Sequence, residues 1–141
     1  MAARVFESHL ERAGLAERVR VTSAGTDDWH VGNPADPRTA AVLRRNGYAD
    51  AHVAAQFGAA HRDADLVVAL DTGHERALAR LGVPAGRRRL LRSFDPAADG
   101  QDVPDPYYGA DDGFDLVRAQ IEAAVPGLLD WVRAELAGGP R

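Results

Sequence analysis

Six consecutive residues, Asp65-Leu66-Val67-Val68-Ala69-Leu70, constrain the fold more than any other stretch. Nearly all are apolar, as expected of a strand covered on both faces, which is the situation of a parallel sheet packed between layers of helix. The run ends at Asp71. Beyond it Glu75, Leu78 and Leu81 recur at helical spacing, with Thr72 or Asp71 able to cap the helix and Gly82-Val83-Pro84 able to end it.

The same alternation extends along the chain. Ala2, Val5, Phe6, His9, Leu10 and Ala13 mark a helix over residues 2 to 13, stopped at Gly14 and lacking an N-cap of its own. Arg18-Val19-Arg20-Val21-Thr22-Ser23 alternates polar and apolar and predicts a strand, ended by Ala24-Gly25. After the turn signals of Asn33 to Pro37, residues 38 to 45 predict a second helix that stops near Asn46-Gly47. Arg89-Leu90-Leu91 is a short strand candidate, and Ser93-Phe94-Asp95-Pro96 opens a loop running to Gly109. Phe114, Val117, Ile121, Val125, Leu128, Val132 and Leu136 form one long apolar stripe, which Pro126 should kink or divide. Helix and strand in alternation predict an α/β domain with an open parallel sheet and helices on both faces. Such domains open with a strand, whereas this chain opens with an uncapped helix, so the expectation is a unit lacking its first strand and the loop at that strand's carboxyl end, where these folds place ligands.

At 141 residues, one domain spanning 1 to 141 is expected. With 45% hydrophobic residues, 27% charged and a net charge of -4, the composition is that of a soluble globular protein and favours neither disorder nor nucleic acid as a partner. No apolar run approaches the roughly 20 residues needed to span a bilayer, so no membrane partner and a cytoplasmic location are expected. There is no cysteine, which excludes disulfides, thiolate metal sites and a Cys nucleophile within these residues. All 17 basic residues are Arg, which excludes Schiff-base lysines and P-loop lysines. The five histidines lack the spacing and carboxylate company of a metal site and are read as surface residues; no metal and no cofactor is expected. Arg87-Arg88-Arg89 with Arg92 is read as a solvated edge, the usual fate of a short charge run.

Asp105-Pro106-Tyr107-Tyr108-Gly109 carries the chemistry: a carboxylic acid and two aromatic rings on one proline-stiffened loop. The acid can hand a proton to a leaving phenol while the rings hold the rest of that phenol. Asp-Pro alone is a turn signal, and Asp36-Pro37 and Asp95-Pro96 illustrate it. The Tyr pair and the ordered motifs upstream favour the catalytic reading.

Thr22-Ser23-Ala24-Gly25-Thr26, Trp29-His30-Val31-Gly32-Asn33-Pro34, the 65-to-70 strand ending in Asp71, Leu90-Leu91 with Phe94, and the Asp105-to-Gly109 block follow one another in an order and spacing that resemble the low molecular weight protein tyrosine phosphatases. The resemblance runs end to end, and its most specific piece is the Asp-Pro-Tyr-Tyr block. It implies a flavodoxin-like sheet of four parallel strands in the order 2-1-3-4, whose first strand is absent from this chain. It also implies a loop of the form Cys, five residues, Arg, Ser, Pro between that strand and the first helix, cradling phosphate on backbone N–H groups. That motif is often followed by Met-Ala, and this chain begins Met1-Ala2, so an internal methionine is the expected explanation of the start.

Carried over residue by residue, the resemblance implies that the absent Cys attacks phosphorus and that Asp105 protonates the leaving tyrosine oxygen, then activates the water that hydrolyses the phosphocysteine. Trp29, Tyr107 and Tyr108 match the aromatic walls of the substrate cleft, Ser23 a serine that steadies the phosphate loop, and Asp71 a supporting residue at the strand end. The implied partner is a phosphotyrosine protein or small aryl phosphate, and the shortened chain is expected to be inactive and to self-associate. The non-enzymatic alternative is a phosphatase-like binding or scaffolding module. Arsenate reductases of this fold need further cysteines that the chain lacks, and arginine phosphatases fit the Tyr pair less well.

Overall fold

The computed structural model describes residues 1–24, 37–49, 57–104 and 112–138. Among these residues five α-helices, two strands and two 3₁₀ turns follow in the order α1 (Ala2–Arg12), α2 (Pro37–Arg45), α3 (Ala59–Arg62), β1 (Val67–Ala69), α4 (Thr72–Arg80), a turn at Ala85–Arg87, β2 (Arg88–Leu90), a turn at Leu91–Phe94, and α5 (Asp112–Ala137).

β1 and β2 run parallel, with Val67 opposite Arg88, Val68 opposite Arg89 and Ala69 opposite Leu90. α4 makes the crossover that parallel neighbours require. Side chains of the 66-to-70 run alternate between two apolar clusters, as a period of two dictates. Leu66, Val68 and Leu70 pack into the main core with Val5 of α1, Leu43 of α2, Leu91, Phe94 and the inner stripe of α5. Val67 joins a second cluster containing Ala69, Leu78 and Val83, with Phe57 and Leu90 against it. Both faces are therefore covered, which is why the run needs no polar alternation.

The helix ends follow the glycines. Gly14 adopts φ +73, which lets Gly14 N–H reach Glu11 C=O at 3.1 Å and Leu15 N–H reach Leu10 C=O at 2.9 Å, satisfying carbonyls that α1 leaves open. Gly47 and Gly82 close α2 and α4 in the same way. The amino end of α1 has no side-chain cap, as its sequence predicts.

Four expectations are corrected. Residues 18 to 23 do not form a strand: alternation makes a segment eligible, but a strand needs a ladder partner, and among the described residues only β1 and β2 pair. The described residues thus give the sheet two strands, where three were expected within this chain. Of the two outcomes expected at Pro126, division does not occur: α5 runs as one helix through it. An interior proline costs about 3 kcal/mol or more, and burial of Val125 and Leu128 on either side is worth about 1.5–3 kcal/mol each. Ser93 and Phe94 belong to a 3₁₀ turn with Phe94 buried, so the loop begins at Asp95 and not at Ser93.

The fourth correction concerns His9, which is half-buried and not a surface residue. Its Nε2 lies 3.2 Å from the hydroxyl of buried Tyr48, which donates to Glu122 Oε1 at 3.1 Å. Arg118 donates to the same oxygen at 2.9 Å. Burial first, and the Glu122 carboxylate second, push the Tyr48 phenol above its ordinary 10.0. This chain of groups ties α1, the end of α2 and α5 together. Among the described residues no helix is long and apolar enough to cross a membrane.

Candidate active site

Open parallel sheets bind ligands beyond the carboxyl ends of their strands, and in this protein β1 ends at Ala69, with Leu70 and Asp71 following it. Asp71 is extended, with φ -146 and ψ 170, and its carboxylate accepts from His74 N–H at 2.7 Å, capping α4. It, and not Thr72, is the cap. The same Oδ1 lies 3.3 Å from His74 Nδ1.

The loop that leaves the Leu91–Phe94 turn comes back to this point. Asp102 Oδ1 accepts from Thr72 N–H at 2.8 Å, and Val103 N–H donates to Leu70 C=O at 2.7 Å. Val103 is buried in the main core. Arg92 completes the attachment by donating Nη1–H to Asp102 C=O at 3.0 Å and Nη2–H to Asp99 Oδ1 at 2.7 Å. That second bond holds the Asp99 carboxyl below its ordinary 3.8. At the end of β2, Ser93 Oγ–H donates to Leu90 C=O at 2.6 Å.

This arrangement settles what the first turn of α4 can do. Two of its N–H groups, on Thr72 and His74, already serve carboxylates, so it is a loop anchor and not an open anion site. Among the described residues no group of three His, Cys, Asp or Glu side chains is placed to hold a metal.

Of the residues singled out from sequence, Asp71 sits at the strand end, as expected. Ser23 is exposed, outside helix and strand, and among the described residues makes no hydrogen bond to this cluster. Asp105, Tyr107, Tyr108 and Trp29 lie outside the described residues. The arginines expected at a solvated edge are internal ties instead. Arg87 donates to Ala64 C=O at 3.3 Å, Arg88 to Glu75 at 2.6 Å and to Val83 C=O at 2.7 Å, and Arg89 lies 3.8 Å from the centre of the Phe94 ring. The attachment of the loop by Arg92 and Asp102 was not foreseen, because their partners are mostly backbone groups that leave no side-chain motif.

Three comparisons bear on this arrangement. Residues 1–137 match the profile of the family described as low molecular weight phosphotyrosine protein phosphatase. The low molecular weight protein-tyrosine phosphatase A of Mycobacterium tuberculosis is 54% identical over 143 residues, covering 99% of this chain and 88% of the relative. The low molecular weight protein-tyrosine-phosphatase of Streptomyces coelicolor is 51% identical over 144 residues, with 98% and 88% covered. Among solved structures, YfkJ from Bacillus subtilis superposes with a TM-score of 0.87 at 29% identity, covering 95% of this chain and 86% of that one.

Proposed function

Because the chain belongs to the low molecular weight phosphotyrosine protein phosphatase family, we propose that it is the body of a protein tyrosine phosphatase whose nucleophile lies upstream of Met1, with Asp105 as the general acid. The residues given contain no cysteine. The activity is therefore that of a longer chain carrying the family's Cys-x5-Arg loop and a first strand, and residues 1 to 141 alone are inactive. The domain is single, and the completed sheet has four strands in the order 2-1-3-4, with residues 18 to 23, unpaired here, becoming a strand once the upstream first strand supplies their ladder partner.

In the first step the thiolate attacks phosphorus, the bond to the aryl oxygen breaks, and the Asp105 carboxylic acid protonates that oxygen as it leaves. In the second the Asp105 carboxylate takes a proton from water, the water oxygen bonds to phosphorus, and the sulfur–phosphorus bond breaks to release orthophosphate. Trp29, Tyr107 and Tyr108 flank the phenyl ring and select phosphotyrosine over shorter phosphoserine. Ser23 steadies the phosphate loop, and Asp71 supports the strand end beneath it.

One observation carries the reading beyond family membership. The chain approaches Asp105 from the carboxyl end of β1, where Leu70 and Thr72 hold Val103 and Asp102. Folds of this class bind their ligands beyond the carboxyl ends of the strands, which supports the reading of Asp105 as the general acid.

The test is to express the protein with its upstream frame. That frame is expected to encode a short apolar strand, then Cys, five residues, Arg, Ser and Pro. The longer protein should hydrolyse phosphotyrosine, and Asp105→Asn should lower turnover about 10²- to 10⁴-fold for poor leaving groups and less for acidic phenols. An in-frame stop with no such loop would favour the binding-module reading, which the missing cysteine motivates. Hydrolysis by residues 1 to 141, abolished by Asp105→Ala, would overturn the mechanism.

A further inference from the structure

We propose that Arg92 and Asp102 form a latch that positions the general-acid loop on the end of β1, making both positioning residues for the reaction. The proposal rests on the reading of Asp105 as the general acid. Residues 95 to 104 contain neither helix nor strand, so a loop of this length needs specific attachments to present a side chain reproducibly. It has two kinds.

The first is local. Asp95 folds back on itself, its carboxylate accepting from Ala97 N–H at 2.9 Å and its carbonyl from Ala98 N–H at 3.1 Å. This shapes the loop's start but does not fix its far end.

The second fixes the far end. Asp102 and Val103 are held by three hydrogen bonds from three elements: Arg92 of the 3₁₀ turn to Asp102 C=O, Thr72 N–H of α4 to Asp102 Oδ1, and Val103 N–H to Leu70 C=O at the end of β1. Val103 then precedes Asp105 by only Pro104. Two residues of chain extend at most about 7 Å, so wherever Val103 is seated, Asp105 is tethered close by.

Arg92 makes this a latch. Its side chain is 10% exposed, while its Asp99 partner is 94% exposed. A solvated ion pair of that kind contributes little. The contact to Asp102 C=O also lies at the surface on the Asp102 side, but the Arg92 side chain behind it is nearly buried and its Nε has no hydrogen-bond partner. A buried guanidinium that lost its carbonyl acceptor would be short of partners for its N–H groups, and that penalty opposes release of the loop. Gly100 allows the loop to lie against the guanidinium: a Cβ on it would come 3.3 Å from Arg92 Nη1.

The experiment uses the full-length, cysteine-containing protein and compares wild type with Arg92→Met, Arg92→Lys, Asp102→Asn and Asp105→Asn. Turnover is measured over aryl phosphates of graded leaving-group acidity, inorganic phosphate inhibition reports the phosphate site, and amide exchange reports Val103. Small misplacements of a catalytic group can cost about 10²-fold. Arg92→Met is therefore expected to lower kcat by roughly 10- to 100-fold for poor leaving groups, with little loss for acidic ones. Inhibition by phosphate should be unchanged, Val103 exchange should accelerate, and Arg92→Lys should recover part of the loss. Asp102→Asn, at an exposed position, should shift the same readouts more weakly, and it decides the matter if Arg92→Met does not fold.

If Asp105→Asn steepens the leaving-group dependence while Arg92→Met and Asp102→Asn leave it at the wild-type value, the latch is refuted and the general acid stands. An Asp105→Asn variant with unaltered leaving-group dependence removes the general acid, and the latch with it. An equal loss for every leaving group in Arg92→Met, with Val103 exchange unaltered, also overturns the proposal, because it marks a role other than aiming the acid.

Discussion

Gly127→Ala is the substitution whose sign the structure decides. In an exposed helix the change would stabilise, since glycine is about 1 kcal/mol worse than alanine in a helix interior. At Gly127, α5 lies directly on the Leu91–Phe94 turn. A Cβ there would come 3.0 Å from the Phe94 carbonyl carbon, 3.2 Å from Phe94 Cβ and closer still to the carbonyl oxygen. The obstructing atoms are mainly main chain, so no side-chain rotation relieves the overlap and the helix or the turn must move. Overpacking costs about 1–3 kcal/mol, and a backbone obstruction belongs at the top of that range. Subtracting the helix-propensity gain leaves about 2 kcal/mol of destabilisation, or a fall in Tm of roughly 5–10 °C for a chain of this size. Urea and thermal unfolding followed by far-ultraviolet circular dichroism measure it. Gly138→Ala is the control: its Cβ would meet Glu135 C=O at 3.5 Å and Ala134 C=O at 3.6 Å, ordinary contact distances, and stability should stay within about 0.5 kcal/mol. If Gly127→Ala is as stable as wild type or more so, the close seating of α5 on the turn is wrong.

Tyr48→Phe should cost about 1 kcal/mol near neutral pH, the usual net worth of a hydrogen bond, because Glu122 keeps Arg118 as a donor. Since the folded phenol titrates above 10.0, Tyr48 contributes stability below that pH and loses it as pH rises through the folded value, so urea midpoints of wild type should fall more steeply than those of Tyr48→Phe above pH 10. Replacing Tyr107 and Tyr108 together with Ala in the full-length protein should raise KM for phosphotyrosine peptides more than for a small alkyl phosphate, aromatic contacts being worth roughly 0.5–1.5 kcal/mol each; unchanged discrimination would assign the pair a structural role. Residues 1 to 141 alone should self-associate, because the edge of β1 away from β2 carries no strand among the described residues. Sedimentation at several concentrations tests this, and a monomer that melts cooperatively at high temperature would refute it.

Features that depend on neighbours in sequence were legible. The 66-to-70 run announced a strand with two covered faces because each face receives every second residue, and the two apolar clusters divide Leu66, Val68 and Leu70 from Val67 and Ala69 in that way. Helix ends were legible because a left-handed residue is needed there and Gly14, Gly47 and Gly82 supply it. Pairing was not. The 18-to-23 segment has the alternation of a strand, yet whether it pairs depends on a partner that no local pattern names. At Pro126 the local sequence left kink and division open, and only the tertiary packing along α5 decides against division.

The candidate site divides along the same line. Asp71 was recognisable, since an acidic residue between an apolar strand and an amphipathic helix is both strand end and cap. Arg92 was not, although four arginines in six positions drew attention to the stretch from Arg87 to Arg92. A charge run is read by default as solvated because a guanidinium is costly to bury, but that cost is offset in part when a carbonyl oxygen accepts from it, and here Ala64, Val83, Ser93 and Asp102 each offer one. Carbonyls belong to every residue and so mark none. The arginines could be assigned only after the fold had brought those carbonyls to them. A run of arginines beside a buried parallel strand is thus better read as a set of ties for the loops at the sheet's ends, and the loop tied most directly is the one that leads to Asp105.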